Sequence, residues 1–337
     1  MVMKNIKALT QKHKNLMAAR PLPPEVTRNL DAWLRVELTY TSNAIEGNTL
    51  SRAETAVVLE KGLTISGKPL KDHLEATNHA AAYDWVMGLV KKKPHQIDEG
   101  TILEIHRLVL TGSHDAAAGR YRDVPVRIAG SPVILPNAAK VPSLMTRFSA
   151  WLARRPDLHP VELAARAHYQ LVTIHPFMDG NGRTARLLMN LILMQSGYPP
   201  AIIRPKDRLR YIRGLELAQL GGSIDDFDNF IGESAEKSLD IYLKVLDQET
   251  PPIQVKAKSG SLMKIGELAK QTGETVPTLR FWLKEGLMAC AQRTESGYQL
   301  FDKTMIQRAK QIRRLQDRRF SIAEIRTQIG AEGGAED

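Results

Sequence analysis

His175-Pro-Phe-Met-Asp-Gly-Asn-Gly-Arg-Thr-Ala-Arg186 is the stretch that decides the reading of this chain, because it breaks one helical pattern and opens another. Ahead of it, Val161-Glu-Leu-Ala-Ala-Arg-Ala-His-Tyr-Gln-Leu-Val-Thr-Ile174 carries apolar residues at helical spacing. Pro176 disfavours α conformation at the residue before it, so this helix is predicted to end at His175. Beyond the stretch, Arg183 to Met194 reads as a strongly apolar helix. Between the two lies Asp179-Gly180-Asn181-Gly182, a turn whose glycines permit positive φ and let backbone N–H groups approach a ligand.

A glycine turn feeding a helix N-terminus is an anion site, and Arg183 and Arg186 add two cations to it. His175, projecting from a helix end, titrates near neutrality and suits a general base that deprotonates a hydroxyl. Asp179 offers the hard oxygen that a phosphate-bound Mg²⁺ takes. Each residue alone has a plain structural use, as a helix cap, a loop or a solvated helix start. Packing does not ask for all of them at this spacing between two apolar helices, and together they point to nucleotide transfer.

The segment resembles the pattern of the Fic family, His-x-Phe-x-(Asp/Glu)-Gly-Asn-Gly-Arg-x-x-Arg, at every specified position. The resemblance implies a protein adenylyltransferase that moves AMP from ATP to a Ser, Thr or Tyr hydroxyl of a protein, the chain itself included. It implies His175 as base, Asp179 as Mg²⁺ ligand, and Gly180, Asn181 and Gly182 as the cradle of the α- and β-phosphates. Arg183 and Arg186 become clamps on the β- and γ-phosphates. Gly182 stands where relatives that act as kinases carry Lys, which favours AMP transfer. Transfer of another nucleotide or of phosphocholine is the alternative enzymatic reading.

Gly119 to Pro136 reads as two short extended segments broken at Gly130-Ser131-Pro132, a hairpin signal in a helical chain. By itself this is a structural hairpin. In Fic proteins the corresponding element is a flap whose backbone pairs with the target, which here implicates Val126, Arg127, Ile128 and Gly130. Downstream, Gly197 to Tyr211 also looks family-like, with Tyr211 either an adenine contact or a core residue.

Upstream, in Thr41-Ser-Asn-Ala-Ile-Glu-Gly-Asn48, Ser42 and Glu46 share a helix face and Gly47 is a natural terminator. Ser-x-x-x-Glu-Gly resembles the inhibitory motif of Fic proteins that restrain themselves. The resemblance implies that Glu46 pairs with Arg186 and removes the cation meant for the γ-phosphate. Some relatives use this Glu to remove AMP from the target, and the sequence leaves that open.

The chain has 337 residues, a formal net charge of +10 and one cysteine, Cys290, so no internal disulfide and no cysteine metal cluster is available. The spacing of His159, His168 and His175 matches no familiar zinc motif. No apolar run reaches membrane-spanning length and Met1 to Leu9 lacks a signal-peptide core, so a soluble cytoplasmic protein is expected. Residues 1–100 read as an N-terminal helical region containing the inhibitory helix (Ser42–Gly47), with helices over Glu25–Ile45 and Leu74–Val90 and a solvated basic loop at Lys91–His95. Residues 101–246 read as the catalytic core and 247–261 as a proline-rich linker.

Residues 262–330 change character. Met263–Gly273 and Thr275–Gly286 have helix-turn-helix spacing, and Gly297-Tyr298 suggests the turn of a small wing. Thirteen Lys and Arg face seven Asp and Glu between Lys264 and Arg326. This segment resembles the winged helix-turn-helix of MerR-type regulators, with departures at Pro277 and Phe281-Trp282. The resemblance makes DNA a candidate partner. No long dimerisation helix or effector domain follows before Asp337, so an inducible DNA-distorting switch is not expected. A protein-docking role, a homodimer, and a DNA-binding regulator whose Fic domain senses nucleotide all stay open. The expected fold is mainly α: a Fic-type helical bundle with a β-hairpin flap, plus a small C-terminal winged helix-turn-helix.

Overall fold

A computed structural model describes residues 3–91, 96–154, 156–249, 263–290, 292–293 and 299–318, with isolated positions up to 328. The chain divides into two units, residues 1–250 and 251–337.

The first unit is built from α1 (Ile6–Ala18), α2 (Pro24–Ile45), α3 (Arg52–Lys61), α4 (Leu70–Lys91), α5 (Glu99–Leu110), α6 (Val141–Ala153), α7 (Pro160–Ile174), α8 (Asn181–Gln195), α9 (Arg208–Gln219) and α10 (Asp225–Glu249). Local signals set the ends. Pro24 opens α2, Ser51 and Glu54 close a capping box on α3, and the Asp98 carboxylate accepts the Thr101 N–H at the start of α5. Helix α8 is buried from Thr184 to Leu193 and packs against α2, α4, α5 and α7, which explains why its sequence is apolar on nearly every side. Leu188, Met189 and Ile192 join one core cluster, while Leu187 and Leu191 join another. The start of α8 is therefore anchored by the centre of the unit, and truncating one of these leucines to Ala would cost about 2–5 kcal/mol.

The flap shows where pattern reading and tertiary structure diverge. Its turn forms as expected, with Gly130 at φ +77° and the Ser131 N–H donating to the Ile128 carbonyl at 3.1 Å. Yet neither arm is a strand, and the one sheet among the described residues lies in the second unit. Pro125, Pro132 and Pro136 remove backbone donors from the arms, which works against a ladder between them.

In the second unit β1 (Met263–Lys264), α11 (Ile265–Thr272), α12 (Val276–Lys284), β2 (Gln292–Arg293), β3 (Gln299–Phe301) and α13 (Thr304–Asp317) follow in order. The sheet order is β1-β3-β2 with both pairs antiparallel. Thr275 caps α12 by accepting the Thr278 N–H, and Pro277 occupies its first turn, where the missing N–H has no helical partner to lose. Trp282 is fully buried among Met263, Leu268, Leu279, Phe301 and Ile312, while Phe281 is exposed. The Gly297-Tyr298 wing turn, the 250–261 part of the linker and residues 92–95 of the basic loop lie outside the described residues.

Candidate active site

Helix α7 stops because His175 takes up left-handed backbone, φ 50° and ψ 60°, the one non-glycine residue with positive φ among the described residues. Its N–H still closes the helix onto the Leu171 carbonyl at 2.9 Å. The ring Nδ1 lies 3.3 Å from the Val172 carbonyl, so Nδ1 carries the proton and Nε2 keeps its lone pair. Burial is the largest influence on this imidazole and holds its pKa below the ordinary 6.5, with Arg122 adding to the depression. His175 is thus neutral at physiological pH and able to accept a proton.

The loop from Pro176 to Gly180 is braced from within. Asn181 donates Nδ2–H to the Phe177 carbonyl at 2.9 Å and accepts the Phe177 N–H at 3.0 Å. Both ends of its amide are therefore occupied, and its side chain shapes the cradle while its backbone N–H, with that of Gly182, stays at the α8 N-terminus. Gly180 at φ +74° is the N-cap. His106 on α5 stacks on Phe177 with centroids 3.6 Å apart. It accepts the Gly119 N–H on Nδ1 at 3.0 Å, which leaves Nε2–H to donate to the Asp179 carbonyl, also at 3.0 Å. Burial pushes His106 down to about 4, so this neutral tautomer persists.

Arg183 and Arg186 are both buried, and both face carboxylates. Arg183 Nη2 reaches Asp179 Oδ1 at 3.4 Å, and Nη1 lies 3.2 Å from Glu75 Oε1 at an ion-pair distance without hydrogen-bond alignment. Its Nε and Nη1 are buried donors with no hydrogen-bond partner among the described residues, the kind of orphan that an arriving phosphate satisfies. Arg186 is nearly saturated instead. Nε donates to Ser42 Oγ at 2.9 Å, Nη2 to the Ser42 carbonyl at 2.9 Å and to Glu46 Oε1 at 2.7 Å, and Nη1 to the Tyr211 hydroxyl at 3.3 Å. The Glu46 carboxylate also lies directly over Gly182, where any Cβ would overlap it and come within 3.0 Å of Arg186 Nη1.

Asp179 has a half-exposed side chain at the mouth of the turn, and the Gly180 N–H donates to its Oδ1 at 2.5 Å. No group of three or more His, Cys, Asp or Glu among the described residues is placed to hold a metal ion. One exposed carboxylate beside a phosphate nest fits a Mg²⁺ that arrives with the phosphates and keeps most of its water.

Tyr211, open in the sequence between an adenine contact and a core residue, packs into the core cluster of the first unit. It is buried, its ring packs on Phe227 and Phe230, and its hydroxyl accepts from Arg186 and donates to His168 Nε2 at 2.9 Å. This packing favours the core alternative, since a buried Tyr finds a partner for its hydroxyl in the interior.

Several residues of the site escaped pattern reading. His106, Glu75, Arg122 and Arg208 are single charged or polar residues on helices or loops, with no local motif around them. Glu75 is buried on α4, where its Oε2 accepts from Asn48 at 3.0 Å and its carbonyl accepts from Asn43 at 3.2 Å. Arg208 donates Nε–H to the Ile45 carbonyl at 2.7 Å, at the end of α2. Arg122 donates to the His175 carbonyl at 2.8 Å.

Residues 96–193 match the model of the Fic/DOC family, and residues 263–330 that of the MerR HTH family regulatory proteins. The solved structure of a Fic domain containing signaling protein from Bacteroides thetaiotaomicron is 31% identical, with a TM-score of 0.66, 73% of this chain covered and 99% of that one. The chain belongs to the Fic family. Fic-1 of C. elegans, as a fragment, is 33% identical with a TM-score of 0.65, covering 73% of each chain. A protein named protein adenylyltransferase Fic from Culex quinquefasciatus is 39% identical over 243 residues, 70% of this chain and 48% of that one. The chain spans about half the length of the curated relatives it matches. In this Fic fold, His175, the glycine turn and the two arginines all stand at the junction of α7 and α8, and α2 lays Ser42 and Glu46 across it.

Proposed function

We propose that the chain is a protein adenylyltransferase held in check by its own α2. In the reaction, the nucleotide phosphates lie on the α8 N-terminus, where Arg183 Nε and the backbone N–H groups of the turn receive them. Asp179 would hold a Mg²⁺, which would neutralise charge on the phosphates. His175 Nε2 takes the proton of a target hydroxyl presented along the 124–136 arms, with Val126, Arg127, Ile128 and Gly130 on the docking edge. The hydroxyl oxygen bonds to the α-phosphorus, the bond to the bridging oxygen breaks, and pyrophosphate leaves.

The observation that carries the reading is the Glu46 carboxylate, 2.7 Å from Arg186 and seated on Gly182. An acid over an anion site is a restraint: it cancels the cation that orients the terminal phosphate and repels the ligand. The names of the relatives favour AMP as the transferred group. Incubation with α-labelled ATP and Mg²⁺ tests it. Glu46→Gly should raise protein labelling at least tenfold over the parent, and Glu46→Gly/His175→Ala should abolish it. Retention of γ-label without α-label would make AMP transfer wrong.

The match of residues 263–330 to MerR regulators and their basic excess favour a nucleic-acid contact by the second unit. Retention on DNA that weakens with salt and disappears on deleting residues 262–337 is the expected result.

A further inference from the structure

Arg122 sits at the root of the flap with 3% of its surface exposed. Its backbone N–H donates to the Pro176 carbonyl at 2.9 Å and its Nε–H to the His175 carbonyl at 2.8 Å. The rest of the guanidinium turns toward the flap, with Nη1 donating to the Val124 carbonyl at 3.1 Å and Nη2 to the Pro136 carbonyl at 2.6 Å. Val124 begins the first arm and Pro136 ends the second. No carboxylate pairs with Arg122 among the described residues, and burial pushes its pKa down. A buried cation without a counter-ion is expensive, and an apolar side chain would fill the same space at lower cost. What an apolar side chain or a lysine cannot do is hold three carbonyls from three segments in one plane, which the five-donor fork of arginine does.

We infer that Arg122 is a positioning residue for transfer to protein: it fixes both roots of the docking arms to the loop that carries His175, so that arms and base keep one register. This rests on the adenylyltransferase reading. The arms form no ladder, so their spacing from the base depends on this side chain rather than on a sheet. A misplacement of about 1 Å between reacting groups can cost about a hundredfold in rate. Attack by water needs no arms and escapes that loss.

Two measurements test the inference. In the otherwise native full chain, Arg122→Gln should speed trypsin cleavage after the exposed Arg127 at least tenfold, with the thermal midpoint of the chain little changed. In the Glu46→Gly background, Arg122→Gln should cut α-label incorporation into the soluble proteins of a cell extract thirtyfold or more. AMP released to water and the affinity for a non-hydrolysable ATP analogue should fall less than threefold. Arg122→Lys should recover part of the labelling. Unchanged cleavage at Arg127 overturns the inference. So does an equal fall in labelling and AMP release, which is what general damage to the site produces. A Glu46→Gly parent that neither labels protein nor releases AMP sinks the adenylyltransferase reading and the positioning role with it. The proteolysis result would then still decide whether Arg122 pins the arms.

Discussion

Arg186 uses four of its five N–H donors on Ser42, Glu46 and Tyr211, which leaves one for any phosphate. Burial by itself works against its charge, and Glu46 offsets that, so removing Glu46 leaves a buried cation seeking an anion. Ser42→Ala removes only one of these bonds and should raise labelling less than Glu46→Gly does, in the same assay. Tyr211→Phe leaves His168 Nε2 without a donor and should cost about 1–2 kcal/mol in urea unfolding, with nucleotide affinity unchanged. A large loss of affinity would instead restore Tyr211 as a base contact. His175 gives a pH test. Its pKa is lowered, so the base form persists as pH falls past 6.5, and labelling by Glu46→Gly should drop only below that value. At this scale the motif residues were legible because their chemistry is local. Tyr211 was ambiguous because its burial against Phe227 and Phe230 is set by segments that no local pattern around it reveals.

The elements were read with differing success for one physical reason. Helices carry their signals within a few residues, and so α2 and the end of α7 fall at or within one residue of where Pro24, Ile45 and Pro176 place them. The flap was readable only as a turn, because whether two extended arms pair depends on what else their carbonyls can bind. Here Arg122 takes the Val124 and Pro136 carbonyls. The seat of the turn after α2 is likewise a matter of partners distant in sequence. Asn48 and Thr49 bond to Asp72 and Glu75 on α4, and Arg208 caps the last carbonyl of α2. Arg208→Ala should loosen that end of α2 and raise labelling two- to tenfold over the parent, while adding nothing in the Glu46→Gly background. Activation in both backgrounds would place Arg208 outside the restraint.

Among the histidines that the first unit buries, burial depresses His79 and His168 to about 3 and His106 to about 4. In the unfolded chain each takes a proton near 6.5, so the unfolded state binds more protons as pH falls and stability is lost between 6.5 and about 4. Each contributes about 1.4 kcal/mol per pH unit in that window. The urea midpoint should therefore fall steeply from pH 7 to pH 5, and a flat midpoint would contradict the burial of these rings. No helix among the described residues is long and apolar enough to cross a membrane. By itself, the sequence determined the mainly helical class, the chemistry of His175 to Arg186 and the pairing partner expected for Glu46. The first two follow from residue type, helical period and turn composition, which act over a few neighbours, and the third from the family resemblance of Ser42 to Gly47. Only the tertiary structure decided that Asn181 braces Phe177, that Tyr211 is buried, that His106 bonds to the Asp179 carbonyl while Glu75 faces Arg183, and that Arg122 ties the Val124 and Pro136 carbonyls to that of His175. Each of these is a buried polar group whose role depends on the atom opposite it, and that atom lies on a segment distant in sequence.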